Sequence, residues 1–126
     1  MPSSLDASNI VLIASADATA AALIGGLVET MGYTVAFAAV DEVADPSRRR
    51  IRPRIYMIDC ATTAGCSDEV IERAIMRGVG VVLMGPAALL ARMRELATRH
   101  DLEILFVPAE PGPLGDALDR AARKSG

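Results

Sequence analysis

The amino-acid sequence predicts a single α/β domain in which helices cover both faces of a mostly parallel β-sheet. Five short β-like runs alternate with five helix-like stretches along the 126 residues, and strict alternation of this kind is typical of a parallel sheet. The first, third and fourth β-like runs are apolar at consecutive positions, as expected of strands that are buried on both faces. Residues 9–126 are predicted to form this one domain, and the polar residues 1–8 a disordered N-terminal tail.

Five strands are predicted, each from a short apolar run. In chain order they are Ile10–Ala14, Tyr33–Ala39, Ile55–Ile58, Val79–Met84 and Leu102–Val107. The first is too short to form a helix on its own. The second mixes polar and apolar residues, which predicts a place at the edge of the sheet. The third leads directly into Asp59.

Five helices are predicted between and after these strands. They are Asp17–Met31, Val40–Asp45, Ser67–Arg77, a stretch that begins near Pro86, and Leu114–Arg123. Asp17 and Ser67 are suitable N-cap residues, and Gly32 and Gly78 are suitable residues just past a helix end. Apolar spacing predicts the buried face of the first helix as Leu23, Ile24, Leu27, Val28 and Met31. Three prolines between residues 108 and 113 predict that this segment is not helical throughout.

Composition and charge exclude several classes of protein. The chain is 52% hydrophobic and 23% charged, which supports a packed core and argues against disorder. A net charge of −3 gives no broad attraction to nucleic acid or to an anionic membrane. No apolar stretch reaches the roughly 18 residues that a membrane-spanning helix needs, and the N-terminus lacks the pattern of a signal peptide. We therefore expect a cytoplasmic protein.

The two cysteines and the one histidine do not indicate a metal site or a catalytic site in this sequence. Cys60 and Cys66 are too few for a disulfide scaffold or a zinc site, so both are expected to be reduced, with Cys66 exposed in a loop. His100 is the only histidine. No catalytic triad or metal-ligand set accompanies it, so a catalytic role is not expected.

The third predicted strand carries a resemblance to a known family. The run Pro53-Arg54-Ile55-Tyr56-Met57-Ile58-Asp59 resembles the pattern of receiver domains of bacterial response regulators, in which a proline and an apolar strand precede an aspartate. The segment 11–17 and the turn at Gly32-Tyr33 are also similar to that family. The resemblance covers residues 9–123. It implies a flavodoxin-like (βα)5 three-layer sandwich with strand order 2-1-3-4-5, and Asp59 as the acceptor of a phosphoryl group from a histidine kinase.

The chain departs from the receiver pattern at most marker positions. Receivers hold Mg²⁺ with two carboxylates after strand one, and they carry a hydroxyl residue after strand four, an aromatic residue on strand five and a lysine after it, often before a cis proline. The residues at these positions are, in order, Ser15 and Ala16, Gly85, Ile104, and Val107 before Pro108. Asp17, one residue beyond the expected acids, could join Asp59 at a metal, although a helix cap is the simpler role.

These departures favour a degenerate receiver, or pseudoreceiver, that acts through protein contacts. Loss of charge stabilisers costs a phosphoryl acceptor about 10² to 10³ in rate for each group. The expected partners are a histidine kinase, an output domain or a second copy of the chain, with no enzymatic turnover and no required cofactor. One alternative is a working phosphoreceiver in which Asp59 and Mg²⁺ form an atypical site. Another is a small-molecule module of the same fold, such as a flavin or cobalamin binder.

Overall fold

A computed structural model describes residues 9–38, 52–63 and 66–125. The strands are β1 (Ile10–Ala14), β2 (Thr34–Phe37), β3 (Ile55–Asp59), β4 (Gly80–Gly85) and β5 (Glu103–Phe106). The helices are α1 (Ala18–Thr30), α2 (Asp68–Met76), α3 (Leu90–His100) and α4 (Pro111–Lys124), and a single 3₁₀ turn (Ala87–Leu89) leads into α3. The predicted tail 1–8 and the predicted helix Val40–Asp45 lie outside the described residues.

The sheet has the predicted topology. Its strand order is β2-β1-β3-β4-β5, and every neighbouring pair is parallel. The fold class inferred from the alternation of strands and helices is therefore confirmed. The mixed strand β2 lies at one edge, as its composition predicted. The strand β3 is central, and its last residue, Asp59, lies opposite Met84 of β4.

Helices cover both faces of the sheet and create two hydrophobic layers. Ile55 and Met57 of β3 belong to the layer under α1 and α4, whereas Tyr56 and Ile58 belong to the layer under α2 and α3. Successive residues of a strand point to opposite faces, so a strand with both faces covered must be apolar at every position. This requirement explains the continuous apolar runs in the sequence.

Local sequence signals set the ends of the helices. The Asp17 carboxylate accepts a hydrogen bond of 3.0 Å from the amide of Ala20 and caps α1. Ser67 caps α2 in the same way. Gly32, just past α1, has a φ of 94°, which is the left-handed region where a residue without Cβ is favoured. These capping predictions are confirmed.

The predicted buried face of α1 was partly wrong. Leu23 is 68% exposed, and the buried residues of the helix are Ala21, Ile24, Gly25 and Val28. Gly25 permits a close approach, because a Cβ at this position would lie only 3.0 Å from Phe37 Cζ of β2. The helix therefore presents its small residues to the sheet and leaves Leu23 outside.

The start of α4 also differs from the prediction. The helix begins at Pro111, three residues before the predicted Leu114. The first turn of a helix has amide groups without an intrahelical partner, so proline costs nothing there. The first amide that needs a partner is that of Leu114, which donates to the Glu110 carbonyl at 3.1 Å. Among the described helices, none is long and apolar enough to cross a membrane.

Candidate functional site

Asp59 lies at the carboxyl edge of the sheet, where this class of fold places its sites. It is the last residue of β3, between β1 and β4. Its exposed fraction is only 7%, and it is the one buried charged residue within residues 9–38, 52–63 and 66–125. A charge this deep needs strong hydrogen-bond donors to offset the loss of water.

Three donors from the chain satisfy the carboxylate of Asp59. The Ser15 hydroxyl donates to Oδ2 at 2.7 Å, and the Thr62 hydroxyl donates to the same oxygen at 2.9 Å. The amide of Ala61 donates to Oδ1 at 3.0 Å. Hydrogen bonds to an ionised acceptor are the stronger kind. We call Ser15 and Thr62 the hydroxyl clamp, because both hydroxyls hold one carboxylate oxygen.

The hydroxyl clamp also joins two loops. The amide of Ala16, after β1, donates to Thr62 Oγ1 at 2.9 Å, and the amide of Asp17 donates to Ser15 Oγ at 3.1 Å. The loop after β1 and the loop after β3 are thus connected directly by Ala16 and Thr62, and also through Asp59. Thr62 was not among the residues predicted from the sequence. Its signal was local: a Thr three residues after an Asp suits a side-chain-stabilised turn.

The described residues around Asp59 do not fit a Mg²⁺ site. This hard cation prefers several oxygen ligands, with carboxylates foremost. The two positions after β1 that carry acids in receivers hold Ser15 and Ala16, and Asp17 uses its carboxylate to cap α1. Across the described part of the chain, no three or more acidic, histidine or cysteine side chains are grouped so that they could hold a metal. The expected pairing of Asp17 with Asp59 thus gains no support from the geometry.

Gly85, which the resemblance aligns with the hydroxyl position of receivers, has apolar neighbours. It is the last residue of β4. A Cβ at Gly85 would lie 3.2 Å from the sulfur of Met93 and 3.6 Å from a methyl group of Leu89. A Thr or Ser at this position would therefore require the flexible end of Met93 of α3 to shift by a few tenths of an ångström. The neighbours of this position are apolar side chains.

No lysine is available to neutralise a phosphoryl group at this edge. The position after β5 is Val107, which packs against the layer under α1 and α4 and precedes Pro108 through a cis peptide bond. The only lysine in the sequence is Lys124. Its Nζ lies 3.0 Å from an oxygen of Glu103, the first residue of β5. That end of β5 is opposite to the edge that holds Asp59.

Ile104, which the resemblance aligns with the aromatic residue of receivers, lies on β5. It is partly buried and packs against the layer under α2 and α3. An aliphatic side chain has no ring to rotate between an inward and an outward position. Phe106, two residues further along β5, is exposed on the same strand.

The expected state of the cysteines was wrong. A disulfide bond joins Cys60 and Cys66, whose Cα atoms lie 5.1 Å apart, within the range that a disulfide requires. Cys66 is only 1% exposed, so it is not loop-exposed as expected. The count of two cysteines excluded a scaffold of several bridges, but it did not exclude one bridge across a tight loop.

A charged cluster lies beside this loop, on α2 and α3. Asp68 Oδ1 lies 2.6 Å from Nε2 of His100, and Asp68 Oδ2 accepts from Arg99 at 2.6 Å. The hydrogen bond from His100, and next that from Arg99, lower the pKa of Asp68 below its usual value of 3.8. His100 therefore links α3 to α2 through Asp68.

The comparison with solved structures identifies the architecture. The receiver domain of NtrX from Brucella abortus matches 91% of this chain and 99% of its own length with a TM-score of 0.76, at 17% identity. This chain has the receiver-domain fold. No family model matches the sequence, and none of the curated protein sequences matches it either.

Two further structures are more similar in sequence to this receiver-like domain. A pilus assembly-related protein from Burkholderia pseudomallei is 26% identical, with 96% of this chain and 94% of that chain covered and a TM-score of 0.66. A pilus assembly protein from Burkholderia thailandensis is 27% identical, with 90% and 98% covered and a TM-score of 0.66.

Proposed function

We propose that this chain is a receiver-like signalling domain that acts through protein contacts without efficient phosphorylation of Asp59. The observation that carries the proposal is the hydroxyl clamp. A phosphoacceptor must present a free carboxylate oxygen to the donor, but Oδ2 of Asp59 already accepts from both Ser15 and Thr62. The remaining oxygen accepts from the amide of Ala61.

Among the described residues around Asp59, the marker positions do not supply the groups that lower the barrier to phosphoryl transfer. Transfer depends on positioning and on neutralisation of the phosphoryl charge. Gly85 supplies no hydroxyl, and Val107 supplies no cation. Each missing stabiliser costs about 10² to 10³ in rate, so several losses together make transfer very slow.

The domain would act by binding, not by turnover. Its partner would be a histidine kinase, an output domain or a second copy of this chain, which recognises the folded surface and does not require a phosphoryl group. The described site contains a buried carboxylate with two hydroxyls. It presents neither a base-activated nucleophile nor a metal-binding set of acids, so an enzymatic role has no support from the residues around Asp59.

Intact-mass analysis tests the proposal directly. The protein is incubated with Mg²⁺ and acetyl phosphate, with Asp59→Ala as the control. We expect no phosphoryl adduct on the wild-type chain within minutes. The triple variant Ser15→Asp/Ala16→Asp/Val107→Lys, which restores two acids and the cation, serves as the matched gain-of-function test. A stoichiometric adduct on the wild type, absent from Asp59→Ala, would contradict the proposal and support the alternative of a phosphoreceiver with an atypical site.

A second candidate function follows from the sequence comparison. The identity to the two Burkholderia pilus assembly proteins, 26% and 27%, is higher than the 17% identity to the receiver domain of NtrX. We propose that the partner of this domain belongs to a pilus assembly system. Deletion of the gene in the source bacterium should then reduce surface pili counted by electron microscopy. Wild type and Asp59→Ala should both restore them, and normal piliation of the deletion strain would refute this candidate.

A further inference from the structure

The disulfide closes a loop directly beside Asp59. Cys60 is the next residue after Asp59, and the bridge to Cys66 forms a ring that contains Ala61 and Thr62. These two residues supply two of the three hydrogen bonds that hold the carboxylate. The covalent constraint therefore acts on the same loop that covers the site.

The far end of the ring is anchored in the helical layer. Cys66 is buried, and Ser67, the residue after it, caps α2. The carbonyl of Cys66 accepts a hydrogen bond of 2.9 Å from Arg92 of α3. At the near end, the amide of Cys60 donates to the Met84 carbonyl of β4 at 2.8 Å. The bridge thus connects the central sheet edge to the starts of two helices.

We propose that Cys60–Cys66 is a redox modification site, reduced by a dithiol, and that its oxidation state controls how tightly the loop holds Asp59. This inference goes beyond the proposed function and does not depend on it, because the loop would respond to reduction whether or not Asp59 accepts a phosphoryl group. A disulfide in a short ring restricts the conformations of the chain that it closes. Its reduction removes that restriction from Ala61 and Thr62.

The chemistry is an ordinary thiol–disulfide exchange. Cys60 is the more exposed of the two cysteines, so a thiolate of the dithiol attacks the Cys60 sulfur, and the Cys66 sulfur leaves as a thiolate and takes up a proton. The second thiol of the reagent then attacks the mixed disulfide and releases Cys60 as a thiol. The dithiol loses two electrons and two protons and becomes a cyclic disulfide, and the protein gains two thiols.

The test uses the full chain, purified without reductant, and dithiothreitol as the probe. Iodoacetamide labelling in urea, followed by intact-mass analysis, counts all free thiols, including that of the buried Cys66. We expect none before treatment and two afterwards. Amide hydrogen exchange by NMR then reports on the loop. Exchange of the Ala61 amide should become roughly tenfold faster in the reduced protein. Exchange of the Ala20 amide, which donates to the capping carboxylate of Asp17 at the start of α1, should stay unchanged.

A variant separates the bridge from general effects of the reagent. Cys60→Ser replaces the more exposed partner and spares the buried Cys66, so folding should be retained. Its Ala61 amide should exchange at the rate of the reduced wild type, with no further response to dithiothreitol. Two free thiols in the untreated protein, a bridge that resists the reagent, or equal exchange of Ala61 in both states would each overturn the proposal. No phosphodonor is present, so this outcome is separate from that of the phosphorylation test.

Discussion

Replacement of Ser15 by alanine is the sharpest test of the hydroxyl clamp. The substitution removes the hydroxyl that donates to Asp59 Oδ2 at 2.7 Å and accepts from the amide of Asp17 at 3.1 Å. The carboxylate keeps its bonds from Thr62 and Ala61. Asp59 itself stays 7% exposed, so water can replace the lost donor only in part.

The expected loss of stability follows from these contacts. A hydrogen bond to a charged group contributes about 1.5–3 kcal/mol to the free energy of unfolding. Ser15 is only partly buried, and water reaches its side of the site. We therefore expect Ser15→Ala to lower the free energy of unfolding by about 1–2 kcal/mol at pH 7.

A double-mutant cycle separates the clamp from unrelated effects of each substitution. Ser15 and Thr62 donate to the same oxygen, so the loss of either hydroxyl leaves the other to compensate. Removal of both leaves Oδ2 without either hydroxyl donor, and the double variant should lose about 0.5–1 kcal/mol more than the sum of the single losses.

The assay is urea denaturation followed by circular dichroism, with the midpoint and slope compared among variants. Thr30→Ala is a suitable control, because its hydroxyl donates only to a backbone carbonyl on an exposed part of α1, and it should change stability by less than about 0.5 kcal/mol. A Ser15→Ala protein within about 0.3 kcal/mol of wild type, together with additive behaviour of the pair, would refute the clamp.

Two further predictions concern packing and pH. Gly80→Ala should destabilise the protein by about 2–3 kcal/mol in the same assay, because its Cβ would overlap the backbone of α4. Gly26→Ala has open space around its Cβ and should stabilise α1 by about 0.5–1 kcal/mol. Equal effects of the two substitutions on the free energy of unfolding would contradict this packing. Burial alone would raise the pKa of Glu103, but hydrogen bonds from Arg120 and Lys124 outweigh burial and lower it below the usual 4.5. Since a lowered pKa stabilises the fold above the unfolded-state value, the difference between wild type and Glu103→Gln should be about 1 kcal/mol at pH 7 and should shrink as the pH falls below 4.5. A difference that grows on acidification would contradict the ion pairs.

The fold could be predicted because it depends on patterns that extend over the whole chain. Runs such as Ile55–Ile58 are apolar at every position only when both faces of a strand are covered, and this requirement alone selects the layered architecture. The orientation of α1 could not be read in the same way. Leu23 has the spacing of a buried residue, but α1 packs on the sheet through the side of the helix that carries Gly25, and Leu23 lies outside this contact. Such packing depends on the side chains of the strand that the helix contacts, and the spacing of apolar residues along the helix contains no information about that strand.

The site was predictable in part. Asp59 was predicted as a candidate because a strand pattern precedes it, and it lies buried at the end of β3. The altered markers Ser15, Gly85 and Val107 stay predictions from their alignment with receivers. Thr62 was missed because its role depends on hydrogen bonds to Asp59 and to the amide of Ala16, and these bonds form only in the folded loop. The Cys60–Cys66 bridge was missed for a related reason, since a tight turn between two cysteines is a property of the folded loop and not of their number.

The residues that hold the carboxylate of Asp59 form a chemically consistent set. A carboxylate that is buried at a strand end must be stabilised by a cation or by hydrogen-bond donors, since otherwise its desolvation would destabilise the fold. Where receivers place acids that hold a metal, this chain places Ser15, and it adds Thr62 from the opposite loop. Two neutral hydroxyls can satisfy one charge without any ion. Asp59 and the hydroxyl clamp therefore link the loop after β1 to the loop after β3.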